Sequence, residues 1–162
     1  MDFIKRSILS KSEKLEVFGL WNNEYPEKLF YKSLEEFDNY LGSLTDQSHI
    51  LLIDPSKKIN GWYFEFRREN EKWFAIILDS SIHGNGFGTK ILELAKQNKN
   101  ELNGWVIDHN NERKSNGRLY ISPLNFYLKN GFKKVSRTRL ELDKISGVKI
   151  KWKKSILVTT QN

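Results

Sequence analysis

Three glycines alternate through His83-Gly84-Asn85-Gly86-Phe87-Gly88, between an apolar run at 73–79 and an amphipathic run at 88–98. Glycine leaves no Cβ where a backbone must turn at positive φ or approach a ligand closely. A helix beginning near Gly88 leaves its first N–H groups without intrahelical partners and points its positive end at the loop. Successive amides in such a place can hold a phosphate or pyrophosphate with no charged side chain. A tight turn alone would use the same glycines, so the run has to be read with its surroundings. Two common phosphate loops do not fit. The Walker pattern needs Gly-Lys followed by Ser or Thr, whereas Thr89 and Lys90 stand in the wrong order and spacing. The dinucleotide fingerprint needs G-x-G-x-x-G; here the spacing is G-x-G-x-G, and it follows a hairpin rather than a first βαβ unit.

Periodicity supplies the surroundings. Residues 3–9 read as a strand. Residues 12–21 place Leu15, Phe18 and Trp21 at helical spacing, and Tyr25-Pro26 ends the helix because proline cannot continue it. A second helix is predicted over 33–44, with Ser33 as N-cap and Glu36 completing a capping box. Strands follow at 49–53, at 61–68 (alternating around Trp62, Phe64 and Phe66) and at 73–79, the last two joined by a turn at Glu69-Asn70-Glu71. The helix at 88–98 turns Ile91, Leu92, Leu94 and Ala95 inward, and 104–108 is a buried strand. After a polar stretch at 109–120, Ser122-Pro123 opens a short helix that Asn130-Gly131 closes. Residues 135–142 and 148–154 form a final antiparallel pair around Ser146-Gly147. The order β-α-α-β-β-β-α-β-α-β-β belongs to the α/β class with a mixed sheet.

Length and composition narrow the partners. A chain of 162 residues with no linker or repeat is expected to form one domain over 1–162. The absence of cysteine excludes disulfides, thiolate metal sites and a cysteine nucleophile. No apolar stretch approaches the roughly 20 residues of a membrane helix. The opening residues lack the basic-then-apolar layout of a secretory leader, so a cytoplasmic protein with no membrane partner is expected. A net charge of +7 favours anionic partners, among them a polyphosphate-bearing cofactor or nucleic acid. The basic residues are dispersed apart from 144–154, and no helix-turn-helix, RNA-binding sheet motif or zinc pattern is present.

The residues resemble the GNAT superfamily of N-acetyltransferases. Its acyl-CoA signature, [Q/R]-x-x-G-x-[G/A] between the fourth strand and the following helix, is matched at His83 to Gly88, with histidine where glutamine or arginine is usual. A second family feature, Tyr-x-x-x-Gly-Phe, is matched by Tyr127 to Phe132. The similarity of motifs covers about 73–132; before that only the layout agrees. It implies a GNAT-like mixed, mostly antiparallel splayed sheet flanked by helices, whose strands 73–79 and 104–108 part to admit the pantetheine arm of acetyl-CoA. It further implies that backbone groups of Ile76, Ile77 and Leu78 bind that arm. Amides of Gly84, Asn85, Gly86, Phe87, Gly88 and Thr89 would hold the pyrophosphate, with His83 ordering the loop. Two positions depart from the pattern: Tyr120 stands where asparagine is common, and Pro123 where a small alanine is common.

The implied reaction is direct transfer of an acetyl group from acetyl-CoA to a primary amine in a ternary complex. An amine near pKa ~10.4 is protonated at neutral pH, so a base must take its proton. By family analogy Tyr127 is the acid that protonates the leaving thiolate; the same side chain could instead pack under its helix beside Phe126. An amide near Leu78 would stabilise the oxyanion. Asp108 and His109 end a splayed strand where the acceptor is expected, and either could be the base, His109 with an ordinary pKa of ~6.5; Glu65 is a third candidate. The loop at 110–117, with Arg113 and Lys114, either borders the acceptor or is solvated, and Trp62 and Tyr63 either line the cleft or belong to the core. Three scattered histidines show no metal-ligand spacing. The expected partners are acetyl-CoA and an unidentified amine, in a monomer or homodimer. Two alternatives remain: a non-catalytic CoA-binding or sensing member of the same fold, and a basic nucleic-acid-binding module.

Overall fold

The computed structural model describes residues 1–155. Its elements are β1 (Asp2–Arg6), α1 (Lys11–Glu24), α2 (Leu34–Gly42), β2 (Thr45–Ile53), β3 (Ile59–Arg68), β4 (Glu71–Leu78), α3 (Phe87–Lys96), β5 (Glu101–Val106), α4 (Leu124–Lys129), β6 (Lys133–Leu142) and β7 (Ile145–Lys153). Short 3-10 turns lie at Glu27–Leu29 and Ser80–Ile82. The order is the one periodicity predicts. The strands form one seven-stranded sheet, β1-β2-β3-β4-β5-β7-β6, antiparallel throughout except where β5 lies parallel to β4.

Helices cover both faces. On one, α1 and α2 bring Val17, Leu20, Trp21, Phe37 and Leu41 onto Trp62, Phe64, Phe66 and Trp73. On the other, α3 and α4 bring Ile91, Leu92, Ala95 and Tyr127 onto Tyr63, Phe74, Leu102 and Ile150. Strand side chains alternate between faces, so β3 feeds both cores and is buried from Ile59 to Phe66. Each large apolar side chain sealed there is worth roughly 2–3 kcal/mol. Glu65, 4% exposed, is the one acid on that buried stretch. It takes hydrogen bonds from Tyr63 Oη (2.6 Å) and Ser48 Oγ (3.1 Å) and pairs with Lys99 (3.1 Å) and Lys72 (3.8 Å). Without these partners a buried carboxylate would cost several kcal/mol.

Local signals explain most element boundaries, and several expectations need correction. The complete capping box is at α1, not α2: Ser10 Oγ accepts from Glu13 N, and Glu13 Oε2 accepts from Ser10 N. At α2, Ser33 does accept from Glu36 N, but the Glu36 carboxylate takes the amide of Lys32. Along α1 the buried residues are Val17, Leu20, Trp21 and Asn22, while Leu15 is exposed. The β3–β4 hairpin turns through Glu69 and Asn70, both at positive φ, with Arg68 opposite Glu71; this is the two-residue loop whose twist matches a β-hairpin. The β6–β7 turn falls at Asp143-Lys144 rather than at Ser146-Gly147, both of which lie within β7. Gly147 is there for space: a Cβ on it would lie 2.8 Å from the Val106 carbonyl oxygen.

Candidate active site

A parallel neighbour gives β4 few bonds on its β5 side. One register pair, Trp73 with Asn103, joins the two strands, and beyond it they diverge. At that pair the Trp73 indole N–H and the Asn103 amide oxygen are both buried without a hydrogen-bond partner among the described residues. The β5-facing edge of β4 from Phe74 to Leu78 therefore has no strand partner among the described residues, and unpaired backbone groups in a protein interior demand one. Phe74 leans over Gly104, where a Cβ would come 3.1 Å from its ring, and packs against Tyr127 and Phe132.

The glycine run follows directly. Asp79 caps the Ser80–Ile82 turn through Ser81 N (2.9 Å) and Oγ (2.6 Å), and the Ser81 hydroxyl holds the Asp79 carboxyl below its ordinary range. His83 Nε2 lies 3.0 Å from the Leu78 carbonyl oxygen, which can only accept, so that nitrogen carries the proton. Asn85 Nδ2 donates to the Ile82 oxygen at 3.1 Å. Both side chains thus brace the loop from within. Gly84 and Gly86 stand at φ +79° and +80°, the left-handed region. Gly86 caps α3 with no side-chain hydrogen bond, leaving the first amides of a ten-residue helix free. Gly88 serves packing instead: a Cβ there would sit 2.9 Å from the Phe126 ring on α4.

One cleft of about 820 Å³ runs from this loop, through the β4–β5 gap, to the α1/α2 face. Ile76, Ile77, Leu78, His83, Gly84, Gly86, Phe87, Gly88, Thr89 and Tyr127 all line it. On the far side its walls are aromatic. Trp21 lies edge-on to Tyr25 at 4.5 Å and near Tyr31 (5.4 Å) and Tyr40 (5.7 Å), and Trp73 stacks on Trp105 at 5.2 Å. Tyr120 lies 6.4 Å from Tyr25. Burial lifts the phenols of Tyr25, Tyr120 and Tyr127 well above their ordinary range and that of Tyr40 to about 12, so all are neutral donors at neutral pH. Among the described residues the Tyr127 hydroxyl takes part in no hydrogen bond, although the residue is only 7% exposed.

The expected base candidates are not brought to this cleft. Asp108 is clamped by Arg139 through two hydrogen bonds of 2.8 and 3.2 Å, which hold its carboxyl low, and it does not line the cavity. His109 is spent on the loop, its Nδ1 accepting from Asn111 N at 3.2 Å, and does not line the cavity either. Both come after the end of β5 at Val106, and the Arg139 that holds Asp108 lies at the edge of the register shift in β6. Glu65 does not line this cleft and borders a separate small cavity with His49. Trp62 and Tyr63 are core residues and absent from the cleft wall.

The acid that does line it is Glu24, which local pattern did not mark. It ends α1, pairs with Lys114 at 2.9 Å and accepts from Ser80 N at 3.1 Å. The loop at 110–117 is largely exposed yet docked at fixed points: Glu27 N donates to the Arg113 oxygen, Ser115 Oγ to the Asn22 oxygen, and Lys114 bridges to Pro26. Lys114 lines the cleft; Arg113 is turned onto the Gly117 oxygen. The Tyr25-Pro26 break was the available signal, since it leaves Glu24 at a helix end.

No family model and no curated protein matches the sequence. Solved structures do, at low identity. A candidate phosphinothricin N-acetyltransferase aligns with TM-score 0.71 and 15% identity over 96% of this chain and 100% of its own. An aminoglycoside 6'-N-acetyltransferase complexed with coenzyme A gives 0.69 and 15% over 94% and 97%. A spermidine N-acetyltransferase from Vibrio cholerae gives 0.65 and 15% over 94% and 95%. With its seven-stranded mixed sheet, splayed β4 and β5, and flanking helices, the chain has the fold of the GNAT-type N-acetyltransferases.

Proposed function

We propose that the protein transfers the acetyl group of acetyl-CoA directly to a primary amine, both substrates bound at once. The observation that carries this reading is the single cleft crossing the sheet, with free helix amides at one mouth and an aromatic chamber at the other. The unpaired edge of β4 at Ile76, Ile77 and Leu78 suits the pantetheine amides, and the amides of Gly84, Asn85, Gly86, Phe87, Gly88 and Thr89 suit a pyrophosphate. Coenzyme A bound to a neighbour of this fold supports the same assignment. The amine nitrogen attacks the thioester carbon, the C–S bond breaks, and the displaced sulfur takes a proton. Tyr127 donates it: its phenol is protonated at neutral pH, lines the cleft and has no other hydrogen-bond partner among the described residues. An amide near Leu78 faces the developing oxyanion. We assign the amine's proton to Glu24, through water, in place of Asp108 and His109, because it is the carboxylate on the cleft wall.

Calorimetric titration with acetyl-CoA, with ATP and NAD as controls, is the direct test. Selective micromolar binding is expected, weakened at least roughly tenfold in Gly88→Val while the far-UV spectrum is kept. No heat from the folded wild-type protein would end the reading. A second reading, binding of CoA without turnover, draws on the engagement of Glu24 by Lys114 and Ser80. It would be supported by tight acetyl-CoA binding with no thiol release from any amine.

A further inference from the structure

Charged side chains on the cleft wall are few and unequal. Glu24 is paired with Lys114, which leaves Arg68 as the charge in excess, and Arg68 forms no salt bridge among the described residues. Polycations need acids along their path, because each additional ammonium must be met by negative charge or left desolvated. Among the described residues this wall offers one acid, and it is paired with Lys114. Its remaining surface is apolar ring: Trp21, Tyr31, Tyr40, Phe64 and Phe66 on the α1/α2 side.

Arg68 has a defined place. It is exposed at the hairpin end of β3, its guanidinium 5.0 Å from the centre of the Phe66 ring. Phe64, on the same face, lies opposite Ala75, where the β4–β5 gap has just opened. Arg68 lies four residues along the strand from Phe64, about 13 Å along the chamber. Resting on this acetyl-transfer assignment, we infer that the acceptor is an elongated, apolar monoamine with an anionic group at the end away from its amine. The amine enters the gap, the apolar body lies along the rings, and the anion meets Arg68 at the solvent mouth. A guanidinium held over a ring suits a carboxylate, which it can grip with two parallel hydrogen bonds. The acceptors named for the spermidine and aminoglycoside enzymes of this fold are polyamines and carry the opposite charge pattern.

The test uses full-length protein, saturating acetyl-CoA and four acceptors followed by thiol release: phenylalanyl-phenylalanine, its C-terminal amide, spermidine and kanamycin. The dipeptide acid should be preferred to its amide by roughly tenfold in kcat/KM, through KM, as one charge-assisted contact predicts. Both should exceed spermidine and kanamycin. In Arg68→Ala the acid-to-amide ratio should fall to about one, with acetyl-CoA binding by calorimetry as in wild type. Tryptophan quenching by the dipeptide acid, from Trp21, Trp73 and Trp105, reads acceptor binding without turnover. Faster acetylation of spermidine or kanamycin, or an unchanged ratio in Arg68→Ala, overturns the inference. So does intact acetyl-CoA binding with neither quenching nor acetylation by the peptides. Loss of acetyl-CoA binding in wild type instead overturns the underlying assignment.

Discussion

At the scale of single residues, Tyr127 and His49 show how burial decides what a side chain does. The Tyr127 ring is locked between Phe74, Phe126 and Phe132, while its hydroxyl is uncommitted. Tyr127→Phe should therefore keep acetyl-CoA affinity within about twofold and lower kcat roughly a hundredfold, the usual size of a general-acid contribution; single-turnover thiol release checks it. His49 is the reverse case, a titratable group kept from titrating. It is 1% exposed, Trp62 Nε1 donates to its Nδ1 at 3.1 Å, and burial pulls its pKa down to about 4. The unfolded chain, with an ordinary pKa of ~6.5, binds the proton more readily. Stability from this group is thus complete above about pH 6.5 and is lost as pH falls toward 4, about 2 kcal/mol of it by pH 5. Urea unfolding at pH 7.5 and pH 5 should show a smaller drop in His49→Asn, whose side chain can still accept from Trp62.

At the scale of elements, β4 is a strand with one bonded edge and one open edge. Its β3 side is paired from Glu71 to Leu78, whereas its β5 side is paired at Trp73. Hydrogen exchange should separate the two: amides of β4 facing the gap should exchange as locally open groups, and acetyl-CoA should protect them at least roughly tenfold. Unchanged exchange on binding would place the pantetheine arm elsewhere. The element order and the glycine loop were legible because each is written locally, in period, caps and glycines. The split of the sheet was expected only through resemblance, since no periodicity distinguishes a strand with a missing neighbour. The β6–β7 turn was misplaced because Gly147 resembles a turn glycine, while what requires it is the Val106 carbonyl on another strand.

At the scale of the whole molecule, the acceptor side was the least legible. Glu24 and Lys114 are 90 residues apart and meet because α1 ends where the 110–117 loop docks. Nothing local to either residue marks such a pairing, and Asp108, more promising by position, is taken by Arg139 from β6. The gap in the sheet also divides labour. The glycine loop and most of the aromatic chamber belong to the β1–β4 half, whereas Tyr127 stands on α4, between β5 and β6. What aligns the two halves on the loop side is the seat of Phe126 against Gly88. Gly88 therefore works as a spacer gauge between the loop and α4. On the proposed assignment, a side chain at that point would shift the loop from the pyrophosphate and carry the Tyr127 hydroxyl away from the sulfur in the same movement, so grip and timing would share one atom's width.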